Sequence, residues 1–136
     1  MRIVAGRWGG RRIGAPPGRA TRPTTDRVRE AWMSAVAGDL PGARVADLFA
    51  GSGALGLEAL SRGAAHAVFV ERAAPALRTL HANVATLEAG DRATVVRGDV
   101  LRFLDDVDPE WDLAFADPPY GQGLGAALIE RFADRP

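Results

Sequence analysis

The chain predicts an α/β fold, a mostly parallel sheet with helices on both faces and a hairpin/helix arm in front of it. Three observations carry this prediction. From Arg44 onward, short apolar runs alternate with helical patterns, as parallel strands joined by right-handed crossovers require. A glycine-rich stretch, Asp47-Leu48-Phe49-Ala50-Gly51-Ser52-Gly53-Ala54-Leu55-Gly56, sits where the first run turns into a helix. A second turn, Asp117-Pro118-Pro119-Tyr120, follows the apolar run Leu113-Ala114-Phe115-Ala116. Two consecutive prolines end that strand because neither can donate to a ladder.

The elements follow in order. Ile3-Val4-Ala5 and Arg11-Arg12-Ile13 flank Gly6-Arg7-Trp8-Gly9-Gly10 and read as a small hairpin. Residues 14–23, with three Pro and two Gly, form an irregular linker. Thr24-Thr25-Asp26 offers N-cap chemistry for a helix whose apolar face is Val28, Ala31, Trp32, Ala35 and Val36, ended by Gly38 and Pro41. Residues 1–40 thus make a basic arm and residues 41–136 the main domain. There the strands are Val45–Phe49, Ala67–Val70, Ala93–Val96 and Leu113–Ala116. Helices are expected at Ala54–Arg62, Ala74–Leu87, near Leu101–Leu104, and finally at Leu124–Phe132.

Bulk properties narrow the partners. At 136 residues the chain is one domain that buries roughly two-thirds of its unfolded surface. Its net charge is zero, yet residues 1–29 hold eight Arg against Asp26 alone, and the rest holds nine Arg against sixteen acids. A basic arm on an acidic body suits a polyanion at one end; a solvated basic tail is the plainer alternative. Every cation is Arg, as a skewed base composition of the coding DNA produces. There is no Cys, so disulfides, thiolate metal sites and cysteine nucleophiles are excluded, and His66 and His81 match no metal-binding spacing. No metal is expected. Without an apolar leader or a long apolar run, the expected compartment is the cytoplasm.

Chemistry concentrates at strand ends. Gly51, Gly53 and Gly56 spell G-x-G-x-x-G, letting backbone approach a ligand at a helix start with free N–H donors. Glu71 ends the second strand, eighteen residues after Gly53, where an acid accepts from two ribose hydroxyls; a solvated strand-end acid is the alternative. Asp47 would repel a pyrophosphate and suits a cofactor that is cationic there, such as the ammonium end of S-adenosylmethionine. Asp99 can accept from an adenine amine, cap the following helix, or do both. Asp117, the Pro118 carbonyl and the Tyr120 ring can grip an amino group on a flat heterocycle, with Pro119 fixing the turn. A strand-ending turn with a solvated Asp is the bland reading of the same residues.

Together these residues resemble the Rossmann-like, S-adenosylmethionine-dependent methyltransferases that act on exocyclic amines of nucleobases. The stretch Arg22-Pro23-Thr24-Thr25-Asp26-Arg27-Val28-Arg29-Glu30, residues 47–63, and the opening Arg2–Arg12 are similar to the bacterial RsmD-type enzymes, which methylate guanine N2 in small-subunit (16S) ribosomal RNA. The resemblance implies direct transfer of a sulfonium methyl group, with Asp117, Pro118, Pro119 and Tyr120 catalytic. It implies a cofactor set of Asp47, Phe49, Gly51, Ser52, Gly53, Gly56, Glu71, Arg72, Asp99, Val100 and Asp117. It implies a partner, small-subunit rRNA or its ribonucleoprotein particle, held by Arg7, Arg11, Arg12, Arg22, Arg27 and Arg29. Trp8 either stacks on a base or covers the hairpin, Trp32 is expected in the core, and Thr24 and Thr25 border the cofactor pocket in the family.

The resembled enzymes continue for three more strands of a seven-stranded sheet, so this chain is expected to be C-terminally truncated. The fourth strand would then be a bare edge inviting self-association. Two other functions compete: adenine-N6 methylation of DNA or RNA, and a non-catalytic cofactor- or RNA-binding fragment. A nicotinamide dehydrogenase leaves Asp47 and Asp117–Tyr120 unexplained.

Overall fold

The computed structural model describes residues 1–15, 26–106, 111–116 and 127–130. Its strands are β1 (Arg44–Leu48), β2 (His66–Glu71), β3 (Ala93–Arg97), β4 (Leu113–Ala116) and β5 (Ala127–Glu130), and its helices α1 (Asp26–Ala35), α2 (Ala54–Ser61), α3 (Ala74–Thr86) and α4 (Val100–Asp106). They form one sheet in the order β3-β2-β1-β4-β5, the first four strands parallel and β5 antiparallel to β4.

Chain direction decides which helix covers which face. The steps β1 to β2 to β3 run one way, so right-handed crossovers put α2 and α3 on one face; the return to β4 runs the other way and puts α4 opposite. The alternating strand residues agree. Val45, Ala67, Phe69, Leu113 and Phe115 pack with Leu55, Leu57 and Leu60 of α2 and with Leu77 and Leu80 of α3. Ala46, Leu48, Val70, Ala114 and Ala116 pack with Val100, Phe103, Leu104 and Trp111, whose ring stacks on Phe103 at 5.6 Å.

The arm is packed onto this core. Ile3, Trp8, Ile13, Met33, Val36 and Leu40 belong to the same apolar cluster as β1, β2, α2 and α3. Trp8 is therefore buried, as hairpin cover, with Arg7 6.0 Å over its ring. The hairpin pairs Ile3 with Arg11 and Met1 with Ile13, but the Val4 and Ala5 N–H groups turn away from it.

Two expectations are corrected. Ala127–Glu130 is a strand, not part of a helix, and it covers the edge of β4. An open edge is a template for the next apolar segment, and the short run Ala127-Leu128-Ile129 carries no periodicity that decides between helix and strand. Self-association through a bare β4 edge therefore loses its basis. Helix α1 is also rotated from its predicted face. Arg29, Met33 and Val36 point inward, whereas Val28 is 39% exposed and Ala31 and Ala35 are exposed. Trp32 is half-buried and stacks on Phe115 at 6.3 Å. The cause is Arg29, which an apolar count assigns to solvent and which Glu58 draws inside.

Candidate functional site

The glycine loop occupies the carboxyl end of β1. Phe49, Gly51 and Gly53 all take positive φ (60°, 58° and 85°), so the chain reverses within five residues of the strand. For half-buried Phe49 this left-handed geometry is strained by roughly 1–2 kcal/mol, and such strain clusters where a loop must hold one shape. Glu71, at the end of β2, holds that shape. Its Oε1 accepts the Gly51 N–H at 2.7 Å and its Oε2 accepts the Ala73 N–H at 2.9 Å.

Asp47 lies beneath the loop at 1% exposure, and its Oδ2 accepts the Gly56 N–H at 2.8 Å. It thus satisfies an amide in the first turn of α2, whose N-cap Gly53 has no side chain to do so. With this bond the carboxylate also supports the loop from below. Gly56 serves packing, since a Cβ there would meet the Phe69 ring, with Cζ at 2.9 Å. Ser52 is buried, its carbonyl accepting from Asn83 Nδ2 at 2.9 Å.

Asp99 follows β3 and caps α4, accepting the Arg102 N–H at 3.1 Å. Arg72 reaches Asp99 at 3.7 Å, but with the two side chains 78% and 47% exposed the pair contributes little. Val100 is buried in the α4-side core. Asp117, Pro118, Pro119, Tyr120, Arg22, Thr24 and Thr25 lie outside the described residues. The residue before Asp117 is described: Ala116 pairs with Leu48, the last residue of β1. The sheet order reverses between β1 and β4, which is the crevice where open α/β sheets bind ligands.

The set of acceptors suits a hydroxyl- and amine-rich nucleoside cofactor. Each carboxylate offers about four lone-pair positions, so Glu71 and Asp99 retain acceptor capacity after their backbone bonds. Both sit at the same rim as the glycine loop. A recess of about 280 Å³, lined by Ala74, Leu77, Arg78, His81, Val95 and Arg97, holds none of these residues. Among the described residues no three His, Cys, Asp or Glu side chains gather as a metal site, and no helix is long and apolar enough to cross a membrane.

The arm docks on α2 through residues that the sequence reading missed. Glu58, fully buried, accepts the Val4 N–H at 2.9 Å and the Ala5 N–H at 3.0 Å, and pairs with Arg62 Nε at 2.9 Å and Arg29 Nε at 3.4 Å. Ser61 accepts the Trp8 N–H at 3.0 Å and donates to the Ala5 carbonyl at 2.6 Å. Gly6, at φ 87°, lies so close to the Ser61 backbone that no side chain fits. A lone acid within Ala54-Leu55-Gly56-Leu57-Glu58-Ala59-Leu60 was the available signal, because an acid in an apolar helix needs a buried partner. Arg7, Arg11, Arg12 and Arg27 are exposed, so they can reach phosphates, although Arg11 Nη2 also donates to the Thr86 carbonyl at 2.9 Å. Arg29 is enclosed, with Nη2 on the Arg2 carbonyl at 2.6 Å, and leaves the phosphate-binding set.

Comparison with known proteins joins these features. The family model for conserved hypothetical protein 95 matches residues 1–135. Ribosomal RNA small subunit methyltransferase D of Escherichia coli is 44% identical over 98% of this chain and 67% of its own length, and YlbH of Bacillus subtilis is 42% identical over 95% and 72%. The solved structure of yhhF from Escherichia coli superposes with a TM-score of 0.80 at 43% identity, over 91% of this chain and 66% of that one. The chain thus spans about two thirds of the length of these relatives. The family model's match to nearly the whole chain, together with 44% identity over 98% of it, places the chain in the conserved hypothetical protein 95 family, the family of ribosomal RNA small subunit methyltransferase D.

Proposed function

We propose that this chain carries the cofactor half and the reactive turn of an S-adenosylmethionine-dependent methyltransferase acting on the exocyclic N2 of a guanine in small-subunit rRNA. The observation that supports the proposal is the pairing of Ala116, the residue before Asp117, with Leu48, the last strand residue before the glycine loop, at the sheet's switch point. The names of the relatives support the rRNA substrate class.

Bound S-adenosylmethionine supplies an electrophilic methyl group on a sulfonium. The chain's part is positional and electrostatic. Glu71 and Asp99 orient the nucleoside portion at the rim, and Asp47 and Glu71 hold the loop in its ligand-facing shape. Asp117 and the Pro118 carbonyl would accept the two hydrogens of the amine. That stabilises the positive charge growing on nitrogen, with Asp117 or water taking the proton. Tyr120 would stack on a base swung out of its helix or loop. Arg7, Arg11, Arg12 and Arg27 supply a sequence-blind grip on phosphates.

Transfer of label from radioactive S-adenosylmethionine to small-subunit particles, with nucleosides separated, tests the proposal. Label in N2-methylguanosine is the expected result. Label in N6-methyladenosine would overturn the base assignment, and no label despite calorimetric cofactor binding would reduce the chain to a binding fragment.

A further inference from the structure

Asn83 lies on α3, outside every motif named from the sequence, and is 3% exposed. Its Oδ1 accepts the Gly14 N–H at 2.7 Å; its Nδ2 donates to the Gly14 carbonyl at 3.0 Å and to the Ser52 carbonyl at 2.9 Å. One rigid amide therefore joins the residue where the arm leaves its hairpin to the middle of the glycine loop. Packing alone would favour an apolar side chain there, because a buried amide is costly unless its hydrogen bonds are made. A second contact runs the same way, with Ser52 Oγ 3.6 Å from Met1 Sδ in the hairpin.

We propose that Asn83 is a positioning residue that couples RNA capture by the arm to cofactor binding by the glycine loop. The inference rests on the reading that this chain binds both ligands. RNA held by Arg7, Arg11 and Arg12 fixes the hairpin, hence Gly14. Through the Asn83 amide, the Gly14 position selects where the Ser52 carbonyl sits, and with it the loop that Gly51 and Gly53 shape. A ligand that favours one arm position then favours one loop shape. By linkage the effect is reciprocal: each ligand tightens the other by the same factor.

The test measures the affinity of the 136-residue chain for S-adenosylhomocysteine with and without a saturating single-stranded RNA oligonucleotide, and the reverse. The parent should show the same tightening in both directions, about fivefold or more. Asn83→Ala, and Asn83→Asp, which keeps the acceptor for Gly14 and loses both donors, should bring both factors to within about twofold of unity. Leu77→Ala removes packing on the same helix without touching the bridge, and should keep the coupling. In the unmodified chain, RNA alone should slow amide hydrogen exchange at Gly51, Ser52 and Gly53, a readout that survives if a variant fails to fold. Coupling unchanged in both Asn83 variants, coupling lost equally in Leu77→Ala, or RNA that binds without protecting the loop would each overturn the inference while leaving the proposed function standing. A parent chain that binds no RNA would overturn both.

Discussion

Replacing Glu58 by Gln tests whether the arm is held by a single buried carboxylate. The variant keeps the shape but removes the charge that faces two backbone N–H groups and the guanidinium groups of Arg29 and Arg62. It turns an NH₂ group towards donors and leaves the fully buried Arg29 without its Glu58 counter-charge. Removing one partner of a buried ion pair costs about 3–5 kcal/mol, set against about 5–15 kcal/mol for a whole domain. For a chain of this size the melting temperature should fall by roughly 10–20 °C. Thermal and urea unfolding give the total, and limited proteolysis at Arg7 and Arg11 reports release of the hairpin. Adding Arg29→Met should recover part of the loss, because the charge that faced Glu58 is removed with it, and the double-mutant cycle should then show a coupling of about 2 kcal/mol or more. A Glu58→Gln protein that melts within about 2 °C of the parent, or a cycle that is additive, would refute the reasoning.

Four further outcomes follow from the same geometry. Gly56→Ala gains about 1 kcal/mol of helix propensity but presses a methyl group into Phe69, a clash of about 1–3 kcal/mol. Denaturant unfolding should show a net loss, with Phe69→Leu in the same chain restoring part of it. Asp47→Asn should lower stability by about 1 kcal/mol and shift cofactor affinity less than about tenfold in calorimetry if support of the loop is its main part, whereas a larger shift at unchanged stability would put the carboxylate directly on the ligand. Arg7→Gln with Arg11→Gln should flatten the slope of log K for single-stranded RNA against log salt by about 1.4, whereas Arg29→Gln should lower the melting temperature and leave the slope unchanged. Asp117→Ala should slow methyl transfer by about a hundredfold or more while calorimetry still detects the cofactor.

What the sequence revealed and what it hid divide along one physical line. The four parallel strands, the glycine turn and the acids at the strand ends were legible because local pattern determines them. Leu113–Ala116 alternates with nothing and must be buried, and Gly51, Gly53 and Gly56 are spaced for a strand-to-helix turn. The hidden features all depend on partners far along the chain. Glu58 meets Val4 and Ala5 across more than fifty residues, and Asn83 meets Gly14 across sixty-nine. No periodicity encodes such bonds, so Arg29 read as a phosphate ligand and α1 read with the wrong face inward. Asp47 shows the same limit at the site itself: its charge was legible, but its bond to the Gly56 amide depended on how α2 starts. Local rules thus placed the rim, while the polar contacts that fix its shape emerge only in the fold. Those contacts tie arm, loop and α2 into one unit, so function should respond to substitutions at Glu58 and Asn83 as well as to those within the motifs.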